Sequence, residues 1–117
     1  MRSESIRMSK GPNLKRVRTW TIHPGEILRE EYLKPLRMTP YRLARELHVP
    51  VPRINDIVLE KRGVSPDTAA RLARFFRTSE QFWLGMQADY DSYQVRKRLE
   101  KELAATTPVE PPSTSAA

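Results

Sequence analysis

The chain has 117 residues, no cysteine and a formal net charge of +7 at neutral pH. This length allows one small domain, and the lack of cysteine excludes a disulfide framework and a thiolate metal site, which suits the cytoplasm. The positive charge favours a polyanionic partner, because lysine and arginine side chains that neutralise phosphates release condensed counterions. No apolar run is long enough for a membrane span or a signal sequence, so we expect a cytoplasmic protein with no membrane partner.

The two ends of the chain differ in composition from the part between them. Residues 1–18 form a basic arm without helical period, with six basic side chains and one glutamate, a net of +5. We expect this arm to be flexible and to attract nucleic acid non-specifically or to order on a partner. The alternative is a passive tail or a mistaken upstream start codon. Residues 105–117 are rich in proline, serine and threonine, which predicts a disordered tail. The folded domain is therefore expected at residues 19–104.

Capping signals and apolar periodicity predict five helices in this domain. The first helix should begin at Pro24 and end near Leu33, because Pro35 is expected to terminate it. The second should begin at Pro40, directly after the capping residue Thr39, and end near Leu47.

The remaining three helices follow from the same kinds of signal. Helix three should begin within residues 51–53 and end near residue 59, and Gly63 is expected to close the turn that follows. Ser65, Pro66 and Asp67 mark the start of helix four. Thr78 and Gln81 resemble a capping box, and helix five is expected from residue 79 to about residue 103.

The segment between Thr39 and Gly63 carries the most information about function. Its apolar positions are spaced as two short helices joined by a tight turn require: Leu43, Ala44, Leu47, Val49, Ile54 and Ile57. This pattern is typical of a helix-turn-helix DNA-binding unit. The side chains left facing outward on its second helix are Arg53, Asn55 and Asp56.

Three segments around this unit resemble the HigA-type antitoxins, a branch of the XRE/Cro-like helix-turn-helix family. They are IHPGEILREEYLKPL before the helix pair, LARELHVPVPRINDIVLEKRGVSPDTAARLARFF through it, and SEQFWLGMQADYD after it. The resemblance implies an all-α, five-helix XRE/lambda-repressor-like domain with an extended C-terminal helix. It also implies a repressor of its own operon that neutralises a HigB-like toxin, a RelE-type mRNA endonuclease, by complex formation.

Three positions depart from the broader family pattern. His48 occupies the turn position where glycine is common, and Pro50 stands where serine or threonine usually caps the second helix. Histidine is tolerated in a left-handed turn, so we expect the turn to be intact but strained. Pro40 replaces a glutamine that contacts phosphate in many relatives, so that contact is not carried over.

The second helix of such a unit enters the major groove by its N-terminal end. The base-contact candidates are therefore Val51, Pro52, Arg53, Asn55 and Asp56. Arg53 is suited to guanine and Asn55 to adenine, whereas Asp56 is expected to accept from cytosine or to orient Arg53. The phosphate-contact candidates, which set affinity rather than sequence preference, are Thr39, Tyr41, Arg42, Lys61 and Arg62. The alternative for each is a solvated polar side chain without a ligand.

Helix five carries more apolar side chains than one small domain obviously buries. Trp83, Met86, Tyr90 and Tyr93 recur three or four residues apart, which is the spacing of a helix–helix seam. We predict from them a homodimer interface. The alternative is that Phe82 and Trp83 only close the core of the monomer.

Nothing in the sequence favours an enzyme, a cofactor, a metal or a small-molecule substrate. His23 and His48 are isolated, and Glu30 and Glu31 are neighbours that point to different sides of a helix. Two alternatives to an antitoxin remain: a stand-alone XRE-family regulator without a toxin, and a toxin-binding protein that does not bind DNA. A small toxin-like reading frame beside the gene would favour the antitoxin.

Overall fold

The computed structural model describes residues 22–112, and within them the chain is helical without strands. Helix α1 combines Pro24–Ile27, a π-helical stretch at Leu28–Leu33 and Lys34–Leu36, and it is followed by α2 (Pro40–Leu47), α3 (Val51–Val58), α4 (Pro66–Phe76), α5 (Glu80–Arg98) and α6 (Glu100–Ala105). The predicted all-α class is confirmed. The basic arm at residues 1–18 and residues 113–117 of the tail lie outside the described residues.

Side-chain caps mark the starts of α1, α2, α4 and α5, mostly where the sequence predicts them. The Thr39 hydroxyl accepts a hydrogen bond from the Arg42 N–H at 3.0 Å, and the Ser65 hydroxyl accepts from Thr68 at 3.3 Å. The predicted capping box at Thr78 and Gln81 is wrong by one residue. Ser79 caps α5 by accepting from the Phe82 N–H at 3.0 Å, because the Thr78 hydroxyl instead accepts from the Trp83 indole at 2.8 Å.

Four helices end on a residue in the left-handed conformation, and none of these residues is glycine. They are Arg37, His48, Glu60 and Arg77, with φ between 54° and 63°. Gly63 does not close the turn after α3, contrary to prediction. Glu60 does so, with its N–H bonded to the Ile57 carbonyl and the Lys61 N–H bonded to the Asp56 carbonyl, a Schellman arrangement that satisfies both carbonyls. Gly63 instead lies against the end of the Gln87 side chain, which would have to shift to admit a Cβ.

Helix α1 continues past Pro35, where the sequence predicts its end. A proline in an α-helix has no N–H to donate, and its ring crowds the carbonyl four residues earlier. The π-helical stretch before Pro35, in which the Lys34 N–H donates to the Arg29 carbonyl five residues back, accommodates the proline. The helix then ends at Arg37.

The core lies where α1, α2, α3, α4 and the start of α5 meet. Its largest fully buried apolar side chains include Leu28, Leu43, Ile54, Ile57, Leu72 and Trp83. Gly25 permits the close approach of α1 to α3, because a Cβ at this position would overlap the carbonyl oxygen of Ile57. The core therefore fixes the positions of α2 and α3 relative to the rest of the domain.

The last helix is interrupted, whereas the sequence predicts one continuous helix from residue 79 to about residue 103. The chain turns at Leu99, with φ −99° and ψ 15°, and this turn separates α5 from the short α6. Most side chains of α5 beyond Tyr90 are exposed, and all of α6 is exposed. Within the described residues, no helix is both long and apolar enough to cross a membrane.

His23 is the cap of α1, and it is buried. Its Nδ1 accepts a hydrogen bond from the Gly25 N–H at 2.8 Å, and its ring packs edge-on against Tyr90 with 5.0 Å between centroids. Burial lowers the pKa of His23, although the nearby charges of Glu60 and Asp91 raise it and that of Arg29 lowers it further. An Nδ1 that accepts a hydrogen bond must be unprotonated, so the cap and the lowered pKa agree.

We therefore expect the stability of the fold to decrease as the pH falls below about 6.5. The unfolded chain takes up a proton on His23 near that pH while the folded chain resists it, so the contribution is complete above pH 6.5 and is lost towards the lower folded pKa. His23→Asn is the control, because asparagine keeps a capping oxygen without titrating. Chemical denaturation of both proteins at pH 7.5 and 5.5 measures the effect. A parallel loss of stability in both would contradict it.

Candidate nucleic-acid interface

The turn between α2 and α3 has the geometry that the sequence predicts. His48 adopts the left-handed conformation with φ 60° and ψ 45°, and its N–H donates to the Arg45 carbonyl at 3.2 Å. The next N–H, of Val49, donates to the Ala44 carbonyl at 3.0 Å. Pro50 then precedes α3 without a side-chain cap. Histidine thus performs the backbone role that glycine more commonly performs.

The apolar faces of α2 and α3 pack on the core and leave the start of α3 accessible. Leu43 and Leu47 on α2 and Ile54 and Ile57 on α3 are buried. The structure brings all five base-contact candidates together on α3: Pro52 and Asn55 are exposed, and Val51, Arg53 and Asp56 are partly exposed. Whether these side chains touch bases remains a prediction.

Asp56 does not orient Arg53, which corrects one expectation. A carboxylate oxygen of Asp56 lies 3.7 Å from a guanidinium nitrogen of Arg62, in the turn after α3. Asp56 and Arg53 are three residues apart on α3, but Arg53 extends towards α4 whereas Asp56 extends towards the turn. Asp56 therefore offsets part of the positive charge of Arg62, which is one of the phosphate-contact candidates.

The partner of Arg53 is Asp67, in the first turn of α4. Arg53 Nη1 lies 3.0 Å from Asp67 Oδ1, and Arg71 Nε donates to the same oxygen at 2.7 Å. Arg71 Nη1 also donates to the Leu47 carbonyl at the end of α2, at 2.7 Å. The hydrogen bond from Arg71 and the charges of both arginines hold the pKa of the Asp67 carboxyl below its usual range.

The phosphate-contact candidates all lie on the exposed surface, at the start of α2 and in the turn after α3: Thr39, Tyr41, Arg42, Lys61 and Arg62. The Thr39 hydroxyl already caps α2. The Tyr41 hydroxyl accepts from Arg45 at 3.3 Å, and Arg42 lies 3.6 Å from Glu46. These exposed contacts are weak, so a phosphate competes with them readily.

The dimer-interface candidates on α5 separate into two groups. The Trp83 side chain is fully enclosed by its own chain, so Trp83 is not an interface residue and the alternative, closure of the monomer core, is correct for it. Tyr90 packs on His23, and Met86 is partly buried against the core. Tyr93 is partly exposed, with the Lys97 ammonium 5.8 Å from its ring centroid. Met86, Tyr90 and Tyr93 remain interface candidates.

Comparison with solved structures identifies this arrangement. The Pseudomonas aeruginosa antitoxin HigA, solved with the higBA promoter, is 45% identical, and the match covers 78% of this chain and 97% of that one with a TM-score of 0.72. A HigA-family antidote protein from Coxiella burnetii is 40% identical over 76% of this chain and 98% of its own, with a TM-score of 0.72. The chain belongs to the HigA family of antitoxins.

Sequence relatives and a family model agree with this membership. Residues 30–83 match the helix-turn-helix family model. The HigA-type chain is also 59% identical over 70 residues to virulence-associated protein I of Dichelobacter nodosus, a match that spans 65% of that protein's length. An uncharacterised helix-turn-helix regulator of Haemophilus influenzae is 35% identical over 86 residues, which is 72% of this chain and 80% of the relative. The predicted family is confirmed.

The residues that sequence reasoning missed in this HigA-type site are Asp67 and Arg71. Their spacing of four residues on a helix is the usual signal for an ion pair. The local sequence indicates Asp67 only as part of a helix start, because its second partner, Arg53, lies 14 residues away on another helix. No local pattern connects those two positions.

Proposed function

We propose that this HigA-type chain is a homodimeric, sequence-specific repressor of its own operon and the cytoplasmic antitoxin of a HigB-like toxin. The observation that carries the proposal is the accessible start of α3, where Arg53 and Asn55 stand on a helix-turn-helix frame with a buried apolar face. The related antitoxin GraA, solved in complex with its operator, is 37% identical over 78% of this chain and 92% of its own, with a TM-score of 0.73.

The proposed contacts divide into base readout and phosphate binding. Arg53 is suited to the O6 and N7 acceptors of guanine, and Asn55 to N6 and N7 of adenine, while Val51 and Pro52 offer apolar contact to thymine methyl groups. The phosphate contacts come from the two flanks, at Thr39, Tyr41, Arg42, Lys61 and Arg62. They would orient α3 in the major groove.

A dimer would present two copies of α3 to one face of the duplex. The partly buried side chains of α5 support this proposal, because Met86, Tyr90 and Tyr93 offer a partly apolar surface near the core. A two-fold dimer reads an inverted repeat, with recognition helices roughly 34–36 Å apart, one turn of DNA. Tyr93→Asp is the variant that tests the interface with least damage to the fold, because Tyr90 also packs on His23.

Toxin neutralisation would require no chemistry from this chain. Family membership supports a partner of the HigB type, a small ribosome-associated mRNA endonuclease, which the antitoxin would inactivate by forming a complex. The neighbouring small reading frames should therefore be expressed alone and together with the full chain. Growth arrest by one of them that this chain relieves would support the antitoxin, and relief by none would leave a stand-alone regulator.

The DNA half of the proposal is tested with the segment upstream of the chain's own gene. The full-length protein should bind this segment much more tightly than a shuffled duplex of the same length and composition, at physiological salt. Equal binding to both duplexes would refute sequence-specific repression. If growth relief persists in that case, the chain is a toxin-binding protein that does not read DNA.

We expect Lys61→Ala and Arg62→Ala to weaken binding almost equally on every duplex, because a phosphate contact carries no sequence information. Each change should also reduce the slope of log affinity against log salt by about one. Lys101→Ala on the exposed α6 is a charge-matched control that should leave the slope unchanged. An unchanged slope in both variants would remove the turn after α3 from the phosphate contacts.

A further inference from the structure

Arg53, the main candidate for base reading, is held in place by other side chains in the protein without DNA. Arg53 is linked to Asp67, Asp67 to Arg71, and Arg71 to the carbonyl at the end of α2, through contacts of 3.0, 2.7 and 2.7 Å. We call these three side chains the Arg53 clamp. The clamp ties together α2, α3 and α4, although all three of its members are partly exposed to solvent.

We propose that Asp67 is a positioning residue for DNA reading, which holds the guanidinium of Arg53 for the base edge and keeps it from nearby phosphates. This inference rests on the proposed function and adds a residue to its reading surface. Asp67 itself touches no base in this scheme. It acts only through Arg53.

The first reason is the donor geometry of arginine. A guanidinium has five N–H donors in a planar fork, and Asp67 occupies an Nη1 donor of Arg53. The remaining donors are enough for the two acceptors of guanine. A free arginine loses rotamer entropy when it binds, and a clamped arginine has already lost part of it, so the clamp favours one readout geometry over many loose ones.

The second reason is the charge of the clamp. The Asp67 carboxylate is exposed beside Arg53 and repels phosphates. It therefore lowers the attraction of the surface around Arg53 for DNA of any sequence. The same repulsion acts in the specific complex, where the oriented contact to guanine offsets it. Specificity is a difference between two affinities, so a penalty that only the specific complex offsets increases it. The hydrogen bond from Arg71 lowers the pKa of the Asp67 carboxyl, which favours its ionised form.

A purely local role for Asp67 makes a different prediction. An aspartate in the first turn of a helix stabilises it through the helix dipole, and Asp67 has that place in α4. Its removal would then lower the melting temperature and leave base preference unchanged. Base preference is therefore the measurement that separates the two roles.

The test begins with duplexes that the wild-type protein selects from a random-sequence pool. Wild type, Asp67→Asn, Arg53→Ala and the double variant are then compared on the selected duplex, on its single-base variants and on an unselected duplex. Asp67→Asn should bind the unselected duplex severalfold more tightly. It should lose about tenfold of discrimination at the same base pair where Arg53→Ala loses it.

Two controls connect these effects to the clamp. Glu102→Gln makes the same charge change on the exposed α6 and should leave base preference unaltered. Asp67→Glu keeps a carboxylate and should restore most of the discrimination. Melting temperatures of all variants establish that they are folded.

Each outcome decides between the possibilities. Full discrimination in folded Asp67→Asn would overturn the inference, as would a loss that persists in the Arg53→Ala background, because Asp67 would then act independently of Arg53. Failure of the wild-type protein to select any sequence would overturn the proposed function itself, and the positioning role with it.

Discussion

Replacing Trp83 by alanine should lower the free energy of unfolding by about 3–5 kcal/mol, which is a large fraction of the stability of a small domain. The indole is fully buried between Tyr32, Phe76 and Phe82, with ring centroids 5.4, 6.3 and 5.0 Å away. Its N–H donates to Thr78 at 2.8 Å, so truncation removes a hydrogen bond as well as a large apolar group. Urea denaturation followed at several protein concentrations measures the loss.

Tyr93→Ala is the matched control, because this aromatic residue lies on the same helix but is partly exposed. It should change the stability of the monomer little, and any effect should depend on protein concentration if α5 forms the dimer. A Trp83→Ala protein that unfolds like the wild type but no longer associates would contradict the core placement of the indole.

The second large effect concerns DNA. Arg53→Ala and Asn55→Ala should each weaken binding to the selected duplex by about 1–3 kcal/mol and do so roughly additively in the double variant. Both side chains lie on the solvent side of α3, so the fold should be retained. Fluorescence anisotropy on the selected duplex and on its single-base variants gives the losses.

Lys101→Ala, on the exposed α6, removes the same charge as Arg53→Ala and serves as its control. The losses from Arg53→Ala and Asn55→Ala must concentrate at particular base pairs. Equal losses on every duplex would show that both residues contribute only to non-specific attraction.

Local signals predicted the elements that carry the interface. A hydroxyl followed by proline marks the starts of both α2 and α4, and the caps at Thr39 and Ser65 form there as expected. The proline signal for a helix end failed at Pro35, because a proline ends a helix only if the preceding backbone keeps α-helical hydrogen bonds. The π-helical stretch before Pro35 has a different hydrogen-bond pattern, and nothing in the local sequence predicts that stretch.

The wrong predictions for Trp83 and for the partner of Arg53 have the same cause: the contacts that decide them join residues far apart in the sequence. The burial of Trp83 depends in part on Tyr32, which lies on α1 and far from Trp83 in the sequence. The partner of Arg53 is Asp67 on α4, whereas Asp56, the carboxylate nearest to Arg53 in the sequence, lies beside Arg62. Periodicity indicates which face of a helix is apolar, but it does not indicate which helix covers that face.

Selection of duplexes from a random-sequence pool by the full-length protein tests the central claim most directly. Base reading by α3 in a two-fold dimer predicts an inverted repeat whose half-sites are centred roughly 34–36 Å apart, one turn of DNA. The preference within each half-site should disappear at the positions lost by Arg53→Ala and Asn55→Ala. Recovery of no common sequence, together with retention that depends only on salt, would contradict that claim.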